Sequence, residues 1–91
     1  MATGTIKKNI VVLDSNVIEI TAEANSNAIK TINLNKPTGA EIVSYTVITN
    51  SVSGSWNVQL SYLSKFNAVS FYNYGTSANT WNGYVRAAYI L

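Results

Sequence analysis

Hydrophobic and polar residues alternate along most of the chain. In segment 56–63 every second position is large and apolar, namely Trp56, Val58, Leu60 and Tyr62. A period of two is typical of a β-strand with one buried and one solvated face. β-branched and aromatic residues dominate the similar segments, which also favours strands. The pattern predicts seven strands, at residues 5–13, 17–24, 28–35, 40–50, 56–63, 68–74 and 84–91.

Polar clusters separate these segments and indicate turns. Asp14, Ser15 and Asn16 follow the first strand, and Pro37 lies in a Lys-Pro-Thr-Gly sequence that favours a β-turn. Segment 17–30 also contains good helix formers, so a helix competes there with the strand prediction. Seven short strands at regular spacing predict an all-β fold, an antiparallel β-sandwich or small barrel. Residues 1–91 are expected to form a single domain.

Length and composition limit how such a domain can be stable. A 91-residue chain buries only roughly 60–65% of its unfolded surface. The chain has no Cys for disulfides, and without Cys or His a zinc site is not expected. Small domains often gain stability by association instead. We therefore expect a homo-oligomer.

Charge and hydropathy argue against two classes of partner. The net charge is +2, and the few Lys and Arg residues are scattered, whereas nucleic-acid binding requires clustered positive charge. No apolar run approaches the roughly 20 residues that span a bilayer, and the N-terminus lacks a signal-peptide layout. We expect no nucleic acid, no membrane insertion and no export by a classical route. Polarity comes mainly from Asn, Ser and Thr, about a third of the chain.

The residues required for catalysis are sparse. No His is present for proton transfer, and no Ser-x-x-Lys, Gly-x-Ser-x-Gly or Gly-rich phosphate motif occurs. Glu19 and Glu23 would lie about 13 Å apart on a strand, too far for a glycosidase pair. Asp14 and Asn16 supply too few oxygens for calcium. We predict no enzyme activity, no cofactor and no metal.

Aromatic and amide side chains are concentrated near the end of the chain. Seven of the ten aromatic residues lie between Phe66 and Tyr89. Aromatic rings pack against the CH faces of sugars, while amides and hydroxyls bond the sugar hydroxyls. A loop at 75–83 and its flanking strand ends therefore form the candidate ligand site, and the candidate ligand-binding residues are Tyr72, Tyr74, Asn79, Trp81, Asn82 and Tyr84.

Each aromatic residue also has a structural interpretation. Trp56 is expected in the core with Val58 and Leu60. Trp81 either contacts ligand or closes the end of the sandwich. Outward tyrosines could equally form a contact between subunits, where Tyr and Trp are enriched. Both faces of the last strand are partly apolar, as expected when one face packs on the core and the other on a partner subunit.

The last 24 residues combine two features. An Asn/Ser/Thr/Gly-rich loop containing Trp81 precedes the ending NGYVRAAYIL, an alternating strand with Arg86 and Tyr89 close to its end. This segment resembles the C-terminal strands of bacteriophage tail-fibre and baseplate receptor-binding domains. The resemblance implies a trimeric β-sandwich or barrel on the virion that binds host-surface saccharide or protein. Because no fibre stalk is present, it fits either an excised fibre domain or a small stand-alone virion protein.

The favoured hypothesis is a non-enzymatic phage tail or fibre component that binds a host-surface saccharide through residues 75–83. A structural virion protein, in capsid decoration or tail assembly, is the first alternative. A free-standing carbohydrate-binding module or lectin is the second.

Overall fold

The computed structural model describes residues 9–54 and 57–91, and these form seven β-strands and no helix. No described segment is therefore a helix of the length and apolarity that crossing a membrane requires. The strands are β1 (Ile10–Asp14), β2 (Ile18–Ala22), β3 (Ser26–Thr31), β4 (Glu41–Ser53), β5 (Val58–Leu63), β6 (Ala68–Asn73) and β7 (Asn79–Ile90).

Two antiparallel sheets make up the fold. In the first, here called the β7 sheet, β7 pairs with β4 on one side and with β1 and β2, placed end to end, on the other. In the second, the β6 sheet, β6 lies between β3 and β5. Neither sheet closes on itself. The prediction of an all-β antiparallel fold is confirmed, and the architecture is the sandwich and not the barrel.

Several element boundaries differ from the sequence prediction. β7 begins at Asn79 instead of residue 84, and β4 continues to Ser53, because the added residues of these two strands pair with each other. The third strand is Ser26–Thr31 instead of 28–35. The alternative of a helix at 17–30 is wrong, since β2 and β3 occupy that segment. Trp56 and residues 5–8 of the predicted first strand lie outside the described residues.

The core lies between the two sheets and follows strand parity. Odd-numbered residues of β7 point inward, and Trp81, Val85, Ala87 and Tyr89 are all buried. The facing β6 sheet contributes Val69 and Phe71. The other members of the core cluster come from β2 and the chain that follows β3, namely Ile18, Ile20, Ala22, Ile32, Leu34 and Ala40.

Polar side chains complete the framework where the strands stop. Ser15, between β1 and β2, donates its backbone N–H to the Val85 carbonyl at 2.8 Å, and its Oγ accepts the Val85 N–H at 2.9 Å. Asn67, in a left-handed conformation with φ 51°, donates from Nδ2 to the Leu34 carbonyl at 3.0 Å. Its Oδ1 accepts the Tyr62 hydroxyl at 2.7 Å. The bonds to Val85 and Leu34 satisfy backbone groups that neither sheet ladder reaches.

Gly83 allows the close approach of β4 to β7. A Cβ at this position would overlap the Ile48 carbonyl oxygen and the Trp81 ring. The glycine is therefore a requirement of packing and not the sign of a turn.

Candidate functional site

The connection from β6 to β7 is organised around one buried asparagine. Asn73 has no exposed surface. Its Nδ2 lies within bonding distance of three carbonyl oxygens, those of Ala22 at 3.1 Å, Glu23 at 3.2 Å and Ser77 at 2.8 Å. Its Oδ1 accepts the Gly75 N–H at 2.8 Å. One amide thus holds the connection against the end of β2.

Asn79 and Trp81 extend this buried group, which we call the Asn73 cluster (Asn73, Asn79 and Trp81). Asn79 Nδ2 donates to Asn73 Oδ1 at 3.0 Å. The Trp81 indole N–H donates to Thr49 Oγ1 at 2.8 Å, and the Trp81 side chain is 0% exposed. The expectation that Asn79 and Trp81 lie in a ligand-facing loop therefore needs correction, because both lie in β7 and point into the core.

Tyr72 and Tyr74 have the opposite orientation. Phe71 and Asn73 face the core, so the alternate residues of this segment face outward from the β6 sheet. The Tyr72 and Tyr74 rings contact each other, with centroids 4.3 Å apart and planes tilted by 37°. Tyr72 is half-buried, while Tyr74 is 46% exposed. Two of the predicted ligand residues thus form a partly exposed aromatic pair.

Amide and hydroxyl side chains flank this aromatic pair. Asn27 on β3 and Gln59 on β5 are both register partners of Tyr72, one on each side. Gln59 Oε1 accepts the Tyr74 hydroxyl at 2.8 Å. Asn27 Nδ2 donates to Ser70 Oγ at 2.9 Å. We call Asn27, Gln59, Ser70, Tyr72 and Tyr74 the tyrosine face.

These bonds leave polar capacity directed at solvent. Among the described residues, Asn27 Oδ1 and Gln59 Nε2 have no protein partner, and both side chains are exposed. The first atom is an acceptor and the second a donor. The tyrosine face therefore presents two aromatic rings between one hydrogen-bond acceptor and one donor. It is open, since the described part of the chain encloses no cavity.

Asn82 and Tyr84 lie elsewhere, on the outer face of the β7 sheet. Asn82 Oδ1 accepts from Asn50 Nδ2 at 3.4 Å. The Tyr84 hydroxyl accepts from Arg86 Nη2 at 3.3 Å, and the guanidinium lies 5.7 Å from the Tyr84 ring centroid. The six predicted residues are thus divided among three places: the tyrosine face, the core and this second outer face.

An ion pair and an apolar area occupy the same outer face of the β7 sheet. Arg86 Nε and Nη2 donate to the two Asp14 oxygens at 2.8 and 3.1 Å, and the hydrogen bond lowers the pKa of Asp14. Beyond the pair, Ile10 lies opposite Ile90 and Val12 lies opposite Ala88. Ile10 and Val12 are 65% and 55% exposed. This arrangement agrees with a last strand that is apolar on both faces.

Three tyrosines lie together between the sheets on the β4 and β5 side. The Tyr45 and Tyr62 rings have centroids 4.4 Å apart. Burial, with smaller contributions from Tyr45 and Tyr89, raises the pKa of Tyr62 to about 12. Burial also raises the pKa of Tyr89. A raised pKa disfavours the phenolate and gives no sign of a proton acceptor.

Sequence reasoning missed Asn27, Gln59 and Asn73. The parity of Gln59 within segment 56–63 placed it on the solvated face, but its pairing with Tyr72 depends on the β5–β6 register. Asn73 shares parity with Phe71, and this was the one available signal that it points inward. No group of three or more acidic or metal-binding side chains occurs among the described residues.

Comparison with known proteins finds no match to this chain, whether with family models, curated proteins or solved structures.

Proposed function

We propose that this protein is a non-enzymatic binding domain that holds a saccharide on its tyrosine face. The observation that carries the proposal is the contact pair of Tyr72 and Tyr74, flanked by the amides of Asn27 and Gln59. Aromatic rings with amides at their edge match the chemistry of a sugar, which has an apolar CH face and a rim of hydroxyls. The site differs from the loop 75–83 expected from the sequence, since Trp81 and Asn79 are buried.

Recognition on the tyrosine face divides into two contributions. The exposed Tyr74 ring and the outer part of Tyr72 pack against the CH groups of a pyranose. Asn27 Oδ1 accepts from one sugar hydroxyl, and Gln59 Nε2 donates to another. The Tyr74–Gln59 bond fixes both side chains before binding, which reduces the entropy lost when a sugar is bound. An open site suits the end or side of a chain of sugars.

The resemblance of the last strands to phage receptor-binding domains supports a setting for this activity. We propose a tail or fibre component of the virion, with a host-surface glycan as ligand. A free-standing carbohydrate-binding module would use the same face in the same way. The two settings differ in which genes accompany this one, and not in the chemistry of the site.

A second candidate function is structural, as an assembly protein of the virion. The observation that favours it is the apolar area on the outer face of the β7 sheet, where Ile10 and Val12 lie beside Ala88 and Ile90. Exposed apolar area of this kind suits contact with another protein. In this case the tyrosine face would have no ligand.

A glycan array with three proteins tests the proposal. Wild type is expected to bind, and Tyr74→Ala is expected to bind at least about fivefold more weakly, since the lost ring contact is worth on the order of 1 kcal/mol or more. Tyr84→Ala is the matched control, because it removes a tyrosine from the other outer face. Circular dichroism verifies that all three are folded.

The outcomes separate the candidates. Absence of glycan binding by folded wild type contradicts saccharide binding and favours the structural function. Equal binding by Tyr74→Ala contradicts the tyrosine face as the site. Loss of binding in Tyr84→Ala alone would assign the ligand to the outer face of the β7 sheet.

A further inference from the structure

Strand β4 forms a long free edge of the β7 sheet. It contains 13 residues, Glu41–Ser53, and within the described part of the chain it pairs only with β7. At roughly 3.4 Å per residue the edge is about 44 Å long. Among the described residues no backbone group bonds to its outer side. Unpaired strand edges are the usual places where a sheet accepts another strand.

The register identifies which backbone groups face outward. Ser15 N–H bonds to the Val85 carbonyl, so the N–H and C=O groups of Val85 point toward the β1 side. This direction alternates along an antiparallel strand, so the N–H and C=O groups of the next residue, Arg86, point toward β4. The β4 partner of Arg86 is Thr46, so the N–H and C=O groups of Thr46 bond to β7. Its neighbours Tyr45 and Val47 direct their N–H and C=O groups away from β7.

The composition of β4 differs from that of the other edges. Its one charged residue, Glu41, is at its first position, and residues 42–53 carry no charge. The opposite edge of the same sheet is divided into two short strands, which carry Asp14 and Glu19. β3 carries Lys30, and β5 is uncharged but has only six residues. Charge and short length protect edges from pairing, and residues 42–53 of β4 have neither protection.

Register shifts leave the middle of β4 regular. Irregularities occur at Ile42/Ser44 and at Thr49/Ser51, and the six residues between them pair with β7 without interruption. Within this stretch the inward side chains of Tyr45 and Val47 are only half-buried, and Ile42 nearby is 43% exposed. A strand added beside β4 would cover this inner surface and complete the core at that side.

We propose that two copies of this chain associate edge to edge through β4, antiparallel and about a two-fold axis at Thr46. Tyr45 of one copy then lies opposite Val47 of the other, so their outward N–H and C=O groups bond to each other. The two β7 sheets become one continuous sheet. A two-fold pair is closed, which limits the assembly to a dimer, in place of the trimer that the resemblance implies.

Charge favours this arrangement over a parallel one. With Thr46 on the axis, Glu41 of one copy lies opposite residue 51 of the other. The two Glu41 carboxylates are then about 34 Å apart at strand rise. Parallel pairing would place them side by side, where like charges repel. The charge pattern of β4 therefore suits antiparallel pairing with β4 of a second copy. The proposed dimer does not depend on saccharide binding.

Light scattering at several protein concentrations, coupled to size exclusion, tests the dimer. Wild type is expected at twice the chain mass of 9.9 kDa. Val47→Pro is expected as a monomer at concentrations where wild type is dimeric, because proline removes an N–H that faces the partner and leaves the β7 ladder intact. Thr46→Lys is expected as a monomer too, since the two lysines would lie beside each other at the axis.

Thr31→Lys is the matched control, as it adds the same charge at the end of β3, another edge strand. It should remain a dimer. Wild type that is a monomer at all concentrations, or a trimer, overturns the proposal, as does a dimer of folded Thr46→Lys. Should Val47→Pro fail to fold, Thr46→Lys still tests whether the dimer forms through β4. Hydrogen exchange provides a second measurement: the Tyr45 and Val47 amides should be protected in wild type and exchange faster in Thr46→Lys.

Discussion

The Asn73 cluster and the Tyr72–Tyr74 pair of the tyrosine face lie within ten positions of each other in the chain and have opposite environments. Asn73 and Trp81 are fully buried; Asn73 holds the β6–β7 connection to β2, and Trp81 bonds β7 to Thr49 of β4. Tyr72 and Tyr74 are on the outer side of the same sheet as Asn73. Strand parity alone separates these two tyrosines from Asn73. An aromatic and asparagine-rich stretch is therefore no guide to a binding site until its parity is known.

The largest effect expected from this comparison is that of Trp81→Ala. Removing a fully buried indole should lower the free energy of unfolding by about 3–5 kcal/mol, a large fraction of what a small domain has. Urea denaturation measures the loss. Phe66→Ala, at an aromatic that is 65% exposed, is the control and should change stability by less than about 0.5 kcal/mol. A similar small change in Trp81→Ala would show that the indole is not in the core.

Asn73→Ala should have the next largest effect. The substitution removes the side-chain partners of the Ala22 and Ser77 carbonyls and of the Gly75 N–H. Buried groups left without partners cost about 1–3 kcal/mol each, so a total loss of about 3 kcal/mol is expected. Asn27→Ala, the same change on the tyrosine face, should cost less than about 0.5 kcal/mol. Equal losses in the two variants would contradict the division between the cluster and the face.

Alkaline pH tests Tyr62, whose half-buried side chain lies inside the sandwich and not on its outer side. The pKa of Tyr62 is raised to about 12 from 10.0. The unfolded chain therefore loses this proton first, and the associated stability is fully present below pH 10 and lost as pH rises toward 12. Unfolding free energies measured across this range should fall less steeply in Tyr62→Phe than in wild type. An unchanged slope would show that the Tyr62 hydroxyl is not shielded.

The smallest stability effect is expected on the tyrosine face itself. Tyr74→Ser removes an exposed ring and its bond to Gln59, and should change the unfolding free energy by roughly 0.5 kcal/mol or less. The melting temperature measured beside that of wild type provides the check. A loss comparable to that of Trp81→Ala would mean that the face is structural.

Alternation along the chain was sufficient to predict the fold class and most of the strands. It failed at the start of β7, because Asn79, Thr80 and Gly83 have the composition of a loop. Those residues are strand only because the far end of β4 pairs with them, and Gly83 is required by the close approach of Ile48. Such tertiary pairing overrides local preference and is not encoded at any one position.

The candidate site was predictable only in part for the same reason. Parity placed Tyr72 and Tyr74 on one face, but it did not say which face was outside. Asn27 and Gln59 come from β3 and β5, whose registers against β6 bring them beside Tyr72. Trp81 would have been assigned to the core if residues 79–90 had been treated as one strand, since it shares parity with Val85 and Tyr89.

Amide chemical shifts recorded during titration with the saccharide that binds best on the array show which face of the protein holds the ligand. Saccharide binding on the tyrosine face predicts shifts that saturate at Asn27, Gln59, Tyr72 and Tyr74, with no change at residues 76–83 or at the Trp81 indole N–H. Shifts centred on residues 76–83 and the indole, with the tyrosine face unchanged, would contradict it.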